Sequence, residues 1–381
     1  MNITFNYRYY INPDDYETHQ LTFKTYKNKL LATSLNEVGD VVRFAEKEQK
    51  NGRYVAVYLT YEAATYFNSK MVTYPIEHNG LNAVAYSFDV NDAQTSSIES
   101  AYNYVPKHNF TFQESDEQMR SKIQQVQAAI VEGETYQVNY TTRLTSDIHY
   151  PISELYTYLT QTNNGGYTAL LDTEDVQVAS ISPELFFQKG EFNRENDVIV
   201  SKPMKGTMPR SVDEEEDALN YKTLQHSLKD RAENVMIVDL LRNDISRISE
   251  TGTIKVYKPF FIETYKTVYQ MTSMVTGHLV NDTSLHDILK ALFPCGSITG
   301  APKLNTMSYI NSLEIGPRSI YCGSIGLMIP NDKMIFNIPI RTLEYRQDKV
   351  IYGVGAGITI DSVPENEVQE FRDKTKILEM L

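Results

Sequence analysis

The chain has 381 residues, and 36 Lys and Arg against 49 Asp and Glu give a formal net charge of −13. This length supports a sizeable core without disulfide or metal support, and 41% hydrophobic with 22% charged residues excludes a wholly disordered chain. An acidic surface repels phosphate backbones, so nucleic-acid binding is not expected, although local positive charge can still bind a small anion.

The sequence also argues against several other classes of protein. Only Cys295 and Cys322 occur, without a His or second Cys at metal-ligand spacing, which argues against a zinc site, an iron–sulfur site and a disulfide framework. Residues 1–10 lack an apolar signal region, and no run of 18 apolar residues occurs. We therefore expect a cytoplasmic protein that does not bind membranes.

The first hundred residues mix predicted strands at 20–26, 54–60 and 83–89 with a predicted helix around 35–50. The pattern becomes clearer from residue 116, where apolar residues spaced four, three and four apart predict an amphipathic helix that ends near Gly133.

Strands and helices then alternate irregularly along the rest of the chain. Strands are predicted at 136–144, 167–172, 176–182, 198–201, within 253–279, and at 321–329, 334–345 and 350–358. Helices are predicted at 152–162, 218–241 with a break near Lys229, 285–292, 302–313 and 364–381. Strand clusters mixed with helices outside strict βαβ alternation predict an α+β fold with largely antiparallel sheets.

No linker divides the sequence, so we expect one domain over 1–381 made of two intertwined subdomains. Residues 1–112 form a less distinctive N-terminal lobe, and residues 115–381 carry the motifs.

Two carboxylate pairs are candidates for metal binding. Asp230 and Glu233 are three residues apart on a predicted helix, and Glu367 and Glu370 repeat the spacing near the start of the last helix. Such pairs offer the oxygen ligands that hard divalent cations prefer. The spacing is equally typical of an exposed helix face, and acids near a helix N-terminus offset its dipole.

Lys205 stands in a restrained segment between Pro203 and Pro209, next to Gly206. A Lys there can act as an amine nucleophile if it is desolvated, although an ordinary surface Lys fits the same pattern.

The loop at 296–303 opens a predicted helix, where backbone N–H groups favour anions, and a plain capping loop is an equal alternative. The glycines at 353–357 do not form a dinucleotide motif and instead allow close approach of a ligand or a neighbouring strand. Arg341 falls in one predicted apolar strand and Tyr321 in another. The guanidinium calls for a carboxylate partner from the protein or from a ligand.

Taken in order, these segments resemble the chorismate-utilising enzyme family. The resemblance covers roughly residues 115–381 and is carried by 133–139, 182–184, 202–210, 230–244, 296–303, 321–323, 340–342, and 355–357 leading into 361–364. It implies that family's fold, in which large antiparallel sheets pack as a sandwich with helices outside, and it implies chorismate as the substrate.

Two positions indicate the branch of the family. Lys205 stands where the amine-forming branch has a nucleophilic Lys and the anthranilate-forming branch usually has Ala. Gln137 stands where water-using members usually have the Lys that activates water, and an amide cannot act as a general base. The resemblance therefore implies a transferase of the aminotransferase class, which makes 4-amino-4-deoxychorismate from chorismate and ammonia for 4-aminobenzoate and folate synthesis. The alternatives are an anthranilate-forming enzyme and a non-catalytic chorismate-binding paralogue.

The resemblance also implies roles for individual residues. Lys205 would attack ring C2 of chorismate, and Glu184 would protonate the departing C4 hydroxyl. The expected substrate contacts are made by Tyr321, Arg341, Gly355, Gly357, Gln137 and Thr299. The expected cofactor is Mg²⁺, bound by Glu233 and Glu370 with Asp230 and Glu367 adjacent or acting through water.

The ammonia source implied by the family is a separate glutamine amidotransferase subunit, because neither Cys lies in a Gly-x-Cys-x-Gly segment. One departure from the pattern is Gln270, where many relatives carry His. In the anthranilate branch that His is tied to pyruvate elimination.

Overall fold

The computed structural model describes residues 1–76, 80–95, 109–161, 165–346 and 348–380. The strands in these ranges are β1 (Asn2–Tyr10), β2 (Tyr16–Phe23), β3 (Asn28–Ala32), β4 (Tyr54–Leu59), β5 (Ala83–Phe88), β6 (Gln94–Thr95), β7 (Thr111–Phe112), β8 (Gln137–Ser146), β9 (Tyr167–Asp172), β10 (Gln177–Ser182), β11 (Leu185–Phe192), β12 (Glu195–Lys202), β13 (Met204–Pro209), β14 (Lys255–Thr264), β15 (Val268–His278), β16 (Gly300–Ala301), β17 (Ser324–Ile329), β18 (Lys333–Asn337), β19 (Thr342–Arg346) and β20 (Lys349–Ile358).

The α-helices of the same ranges are α1 (Val38–Lys50), α2 (Ala64–Phe67), α3 (Asp116–Val131), α4 (Ile152–Thr160), α5 (Glu214–His226), α6 (Leu228–Ser246), α7 (Leu285–Leu292), α8 (Lys303–Leu313) and α9 (Pro364–Lys374). Short 3-10 helices lie at Leu35–Glu37, Tyr61–Ala63, Val90–Asp92, Gly296–Ile298 and Lys376–Met380.

The strands form two antiparallel sheets. Sheet A has the order β16-β8-β20-β19-β10-β9-β1-β2-β6, with β7 also beside β8. Sheet B has the order β13-β15-β12-β11-β18-β17-β4-β5-β3, with β14 also beside β15. Both sheets take strands from the N-terminal and the C-terminal parts of the chain. The predicted α+β fold with large antiparallel sheets and helices outside is confirmed.

Alternation along the strands produces a four-layer arrangement. On β4, Val55, Val57 and Leu59 face the core under α1, α6 and α7, whereas Ala56 and Tyr58 face the core between the sheets. Sheet A is likewise covered on its outer face by α3, α4, α8 and α9. Two helical layers therefore enclose the pair of sheets.

Hydrogen bonds join the two sheets across their shared core. The Tyr7 hydroxyl on β1 donates to the Ile325 carbonyl on β17 at 3.0 Å. The Gln188 side chain on β11 accepts from the Tyr10 N–H at 2.8 Å and donates to the Tyr10 carbonyl at 2.7 Å. Each is a directional bond between buried groups, so these bonds fix how the sheets sit against each other.

The prediction of one strand at 334–345 is wrong. The chain forms β18 in sheet B, crosses between the sheets, and continues as β19 in sheet A. Pro339 has no N–H for a ladder, and Arg341 has a φ of +52°, so neither residue continues a strand. Arg341 therefore precedes β19 instead of lying within a strand, and Tyr321 likewise precedes β17.

The helix predicted at 218–241 is broken near Lys229 as expected, and the break falls at Ser227. Its hydroxyl accepts from the Asp230 N–H at 3.2 Å and caps α6. The two helices also extend further than predicted, from Glu214 to Ser246.

Among the described residues, no helix combines the length and apolar character needed to cross a lipid bilayer.

Removal of side-chain volume between the sheets should destabilise the protein strongly. Leu171 on β9 is 0% exposed in the shared core, whereas Leu219 on α5 is 62% exposed. We expect Leu171→Ala to lower the free energy of unfolding by about 2 to 5 kcal/mol. The matched Leu219→Ala variant should change it by about 0.5 kcal/mol or less. Urea denaturation midpoints measure both, and equal shifts would contradict the burial of Leu171.

Candidate active site

Lys205 lies in a β-bulge on an edge strand of sheet B. The pairing of β13 with β15 shifts register between Met204 and Thr207, so Lys205 and Gly206 together oppose one residue of β15. Gly206 has a φ of +92°, and a Cβ there would lie 2.9 Å from the Asp230 Cβ. Only glycine fits this backbone conformation and this contact with α6.

The amine of Lys205 reaches across to sheet A and meets β20. A Cβ at Gly357 would lie 3.2 Å from Lys205 Nζ and 2.2 Å from Gln137 Nε2. Gln137, on β8, is buried, and its Oε1 accepts no hydrogen bond from the described residues. The structure therefore brings Lys205, Gln137 and Gly357 together.

Gly353, Gly355 and Gly357 lie on the same face of β20, and we call them the glycine strip. The intervening residues face the outer core of sheet A, so the strip faces sheet B. A Cβ at Gly353 would lie 2.3 Å from the Tyr321 ring. The ring can pack against β20 at this point only because residue 353 has no side chain. A Cβ at Gly355 would likewise lie 2.6 Å from Thr141 Cγ2, so the strip lets neighbouring side chains pack directly against β20.

Glu184 follows β10 and is buried, with 4% of its surface exposed. Its carbonyl accepts from the Ile338 N–H at 3.2 Å, and its Oε1 accepts no hydrogen bond from the described residues. Burial raises the pKa of Glu184 to about 7, although a hydrogen bond from Ser297 and the charge of Lys205 oppose the rise. Glu184 can therefore carry a proton near neutral pH.

Arg341 and Tyr321 are the two predicted substrate contacts that precede strands. Burial lowers the pKa of Arg341, and the nearby Tyr352, Tyr265 and Glu184 oppose this shift. Arg341 is thus within electrostatic range of Glu184. Burial raises the pKa of Tyr321 well above its usual value, so its hydroxyl stays protonated.

Thr299 uses its hydroxyl within its own loop. The hydroxyl donates to the carbonyls of Cys295 at 3.0 Å and Gly296 at 3.3 Å, and the Thr299 carbonyl accepts from the Asn139 N–H at 2.7 Å. The loop at 296–300 is thereby fixed to β8. Lys303, at the start of α8, pairs with Asp244 at 2.7 Å.

The four candidate metal ligands lie on two helices. Asp230 and Glu233 are on α6, and Glu367 and Glu370 are on α9. Burial raises the pKa of Glu233, with the charges of Asp230 and Glu370 adding to the rise and those of Lys205 and Lys229 opposing it. Burial likewise raises the pKa of Glu367, with a contribution from the charge of Glu370. The two acidic pairs are therefore close enough to repel each other.

These carboxylates match Mg²⁺ in donor chemistry, because the ion prefers hard oxygen ligands and uses few of them. A positive charge is already among them, since Lys229 Nζ lies 4.0 Å from Glu233 Oε1 and 3.8 Å from Glu367 Oε1. Across the described ranges, no three acidic, His or Cys side chains are grouped as a metal site requires. The donor set thus fits the ion in its chemistry alone.

Sequence reasoning missed three residues at this site. Lys374 on α9 donates to the Gly355 carbonyl at 2.7 Å and pairs with Glu370 at 2.6 Å. The i,i+4 spacing of Glu370 and Lys374 was a usable signal. Lys229 has the same i,i+4 spacing to Glu233, whereas its contact with Glu367 and that of Ser297 with Glu184 arise only from the tertiary fold.

Comparison with known proteins agrees with the resemblance seen in the sequence. The family model for the chorismate binding enzyme matches residues 7–379. Aminodeoxychorismate synthase component 1 of Klebsiella aerogenes is 38% identical over 291 residues, which cover 76% of this chain and 63% of the relative. The Escherichia coli protein of the same name is 38% identical over 300 residues, which cover 77% of this chain and 65% of the relative. The chain thus matches a little under two thirds of the length of these relatives.

Among solved structures, anthranilate synthase component I from Streptococcus pneumoniae superposes with a TM-score of 0.75 at 22% identity. The superposition covers 100% of this chain and 92% of that structure, so the fold is shared throughout. The family model, the two relatives and this fold lead to one conclusion. The chain belongs to the chorismate-binding enzyme family.

Proposed function

We propose that the chain converts chorismate and ammonia to 4-amino-4-deoxychorismate, the activity for which its aminodeoxychorismate synthase relatives are named. The proposal rests mainly on one observation: the amine of Lys205 and the amide of Gln137 both lie next to Gly357. A primary amine is available as a nucleophile, and the side chain beside it is an amide, which cannot take a proton from water.

Lys205 attacks C2 of the chorismate ring as the neutral amine. The new N–C2 bond forms as the two ring double bonds shift, and the bond from C4 to the hydroxyl oxygen breaks. Ammonia then adds at C4, the double bonds shift back, and the C2–N bond breaks to free Lys205. The hydroxyl is thus replaced by an amine while the enolpyruvyl group remains attached.

Glu184 protonates the hydroxyl as it leaves, so that water departs instead of hydroxide. A carboxylic acid can do this only while it holds its proton, and burial of Glu184 favours the protonated form.

The carboxylates of the substrate require positive charge or N–H donors in this acidic chain. Arg341 supplies a guanidinium at the crossing between β18 and β19, and Gly357, which is only partly buried, presents its backbone beside Lys205. Mg²⁺, when bound by Glu233 and Glu370 with Asp230 and Glu367 nearby, would supply charge that neutralises a substrate carboxylate.

Ammonia reaches the site from a glutamine amidotransferase partner. The relatives are named as component 1, which supports the existence of a second component. The assay below replaces that partner with ammonium salts, so that it tests this chain alone.

The product identifies the reaction directly. With chorismate, Mg²⁺ and ammonium salts, we expect 4-amino-4-deoxychorismate by mass spectrometry, with no release of pyruvate. Anthranilate with released pyruvate would favour the anthranilate-forming alternative. Saturable chorismate binding without turnover would favour a non-catalytic binding protein.

Substitution of the nucleophile should abolish turnover. Lys205→Ala removes the attacking amine, and we expect kcat to fall by roughly a thousandfold or more, as for other covalent nucleophiles. With ammonia omitted, the intact mass of the wild-type protein should show a chorismate adduct that the variant lacks. The exposed Lys24→Ala serves as the matched control and should retain both properties. Normal turnover by Lys205→Ala would contradict the covalent mechanism.

The pH dependence should follow Glu184. Its pKa is raised to about 7 in the folded protein, so the proton donor is present below that pH and is lost as pH rises through it. At a constant concentration of unprotonated ammonia, kcat/KM should therefore fall above about pH 7. Glu184→Gln should lower kcat by about a hundredfold or more and remove this alkaline limb. An unchanged profile in the variant would assign the limb to another group.

A further inference from the structure

Gln270 on β15 stands opposite the bulge that carries Lys205. It is 4% exposed and pairs with Thr207 across the strands. Its Nε2 donates to the Gly206 carbonyl at 3.1 Å. The acceptor belongs to the peptide group between Gly206 and Thr207, one residue beyond Lys205.

The bulge needs such a bond because the ladder is interrupted there. Two residues of β13 face one of β15, so a peptide group in the bulge lacks its regular strand partner. Gly206 has no side chain to limit its rotation, and in the described sheet order β13 is a terminal strand with β15 as its neighbour. Asp230 packs against one side of Gly206, and the Gln270 amide holds the carbonyl.

We infer that Gln270 is a positioning residue, whose bond to the Gly206 carbonyl fixes the backbone that directs Lys205 toward Gly357. The inference rests on the proposed role of Lys205 as nucleophile. It does not require contact between Gln270 and the substrate. The side chain acts on the reaction through the backbone of the bulge.

The effect should appear in kcat and leave substrate binding nearly unchanged. A flexible four-carbon side chain delivers its amine productively only from a well-fixed backbone, and small misplacements of a reacting group slow reactions steeply. The groups proposed to bind chorismate, such as Arg341 and the glycine strip, lie on other strands or crossings and keep their positions.

The test compares variants that differ in their ability to donate a hydrogen bond. Gln270→Met keeps the length of the side chain without a donor, and Gln270→Glu places a carboxylate against the Gly206 carbonyl. We expect both to lower kcat by about tenfold to a hundredfold with KM nearly unchanged. In Gln270→His a ring N–H can donate, and total chorismate consumption should recover most of the wild-type kcat. Without ammonia, formation of the chorismate adduct, followed by intact mass, should be slow in Gln270→Met and Gln270→Glu and close to the wild-type rate in Gln270→His.

Gln49→Met is the matched control for loss of stability. Gln49 is also buried, and its amide donates to the carbonyls of Ile329 at 2.7 Å and Lys333 at 2.8 Å, away from β13. This variant should lower the melting temperature while it retains kcat and the rate of adduct formation. A fall in kcat equal to that of Gln270→Met would show that lost stability alone explains the effect, and would overturn the inference.

Lys205→Ala, assayed in parallel, separates the inference from the proposed function. If Lys205→Ala is inactive while Gln270→Met and Gln270→Glu keep the wild-type kcat, the positioning role is wrong and the proposed mechanism stands. If Lys205→Ala turns over normally, the proposed mechanism fails and the positioning role fails with it. Loss of activity in Gln270→His as deep as in Gln270→Met would also overturn the inference, because a restored donor would have had no effect.

Discussion

The site depends on the close approach of β13, from one sheet, to the glycine strip of β20, from the other. Side chains normally fill the space between two packed sheets, about 10 Å apart, and here the three glycines let side chains such as Tyr321 and Gln137 pack directly against the backbone of β20. Lys205 extends into this space from a bulge that turns the edge strand locally. Neither sheet alone holds the site, since the amine comes from sheet B and the glycines and Gln137 come from sheet A.

The polar groups beside Lys205 differ from Tyr7 and Gln188, which lie in or beside the same shared core. Tyr7 and Gln188 have partners on the opposite sheet, as buried polar groups usually do. Glu184 and Gln137 each retain an oxygen that accepts no hydrogen bond from the described residues. Such unpaired acceptors are costly in a folded core unless a ligand uses them. Their position beside Lys205 supports a polar substrate there, in a protein whose net charge of −13 alone would suggest repulsion of anions.

The sequence predicts the fold class well, because strand clusters and the helical periodicity from residue 116 are local patterns. It fails where tertiary structure overrides local pattern. The apolar run at 334–345 looks like one strand, yet the chain changes sheets within it, and only this change places Arg341 at the site. Spacing and resemblance predict the acidic pairs and Lys205, whereas Ser297 is far in sequence from Glu184 and Lys229 is far from Glu367. Gln270 was noted only as a departure from a pattern, because its bond to Gly206 depends on a bulge that spacing does not reveal.

The hydrogen bonds between the sheets at Tyr7 and Gln188 have a mechanical consequence. Because the amine and the glycine strip belong to different sheets, a sliding motion of one sheet over the other would change their separation directly. The bonds from β1 to β17 and β11 resist that shear at strands that are adjacent to neither β13 nor β20. Alignment at the candidate site is therefore a property of the whole interface between the sheets, including the N-terminal strand β1, which carries none of the predicted catalytic residues.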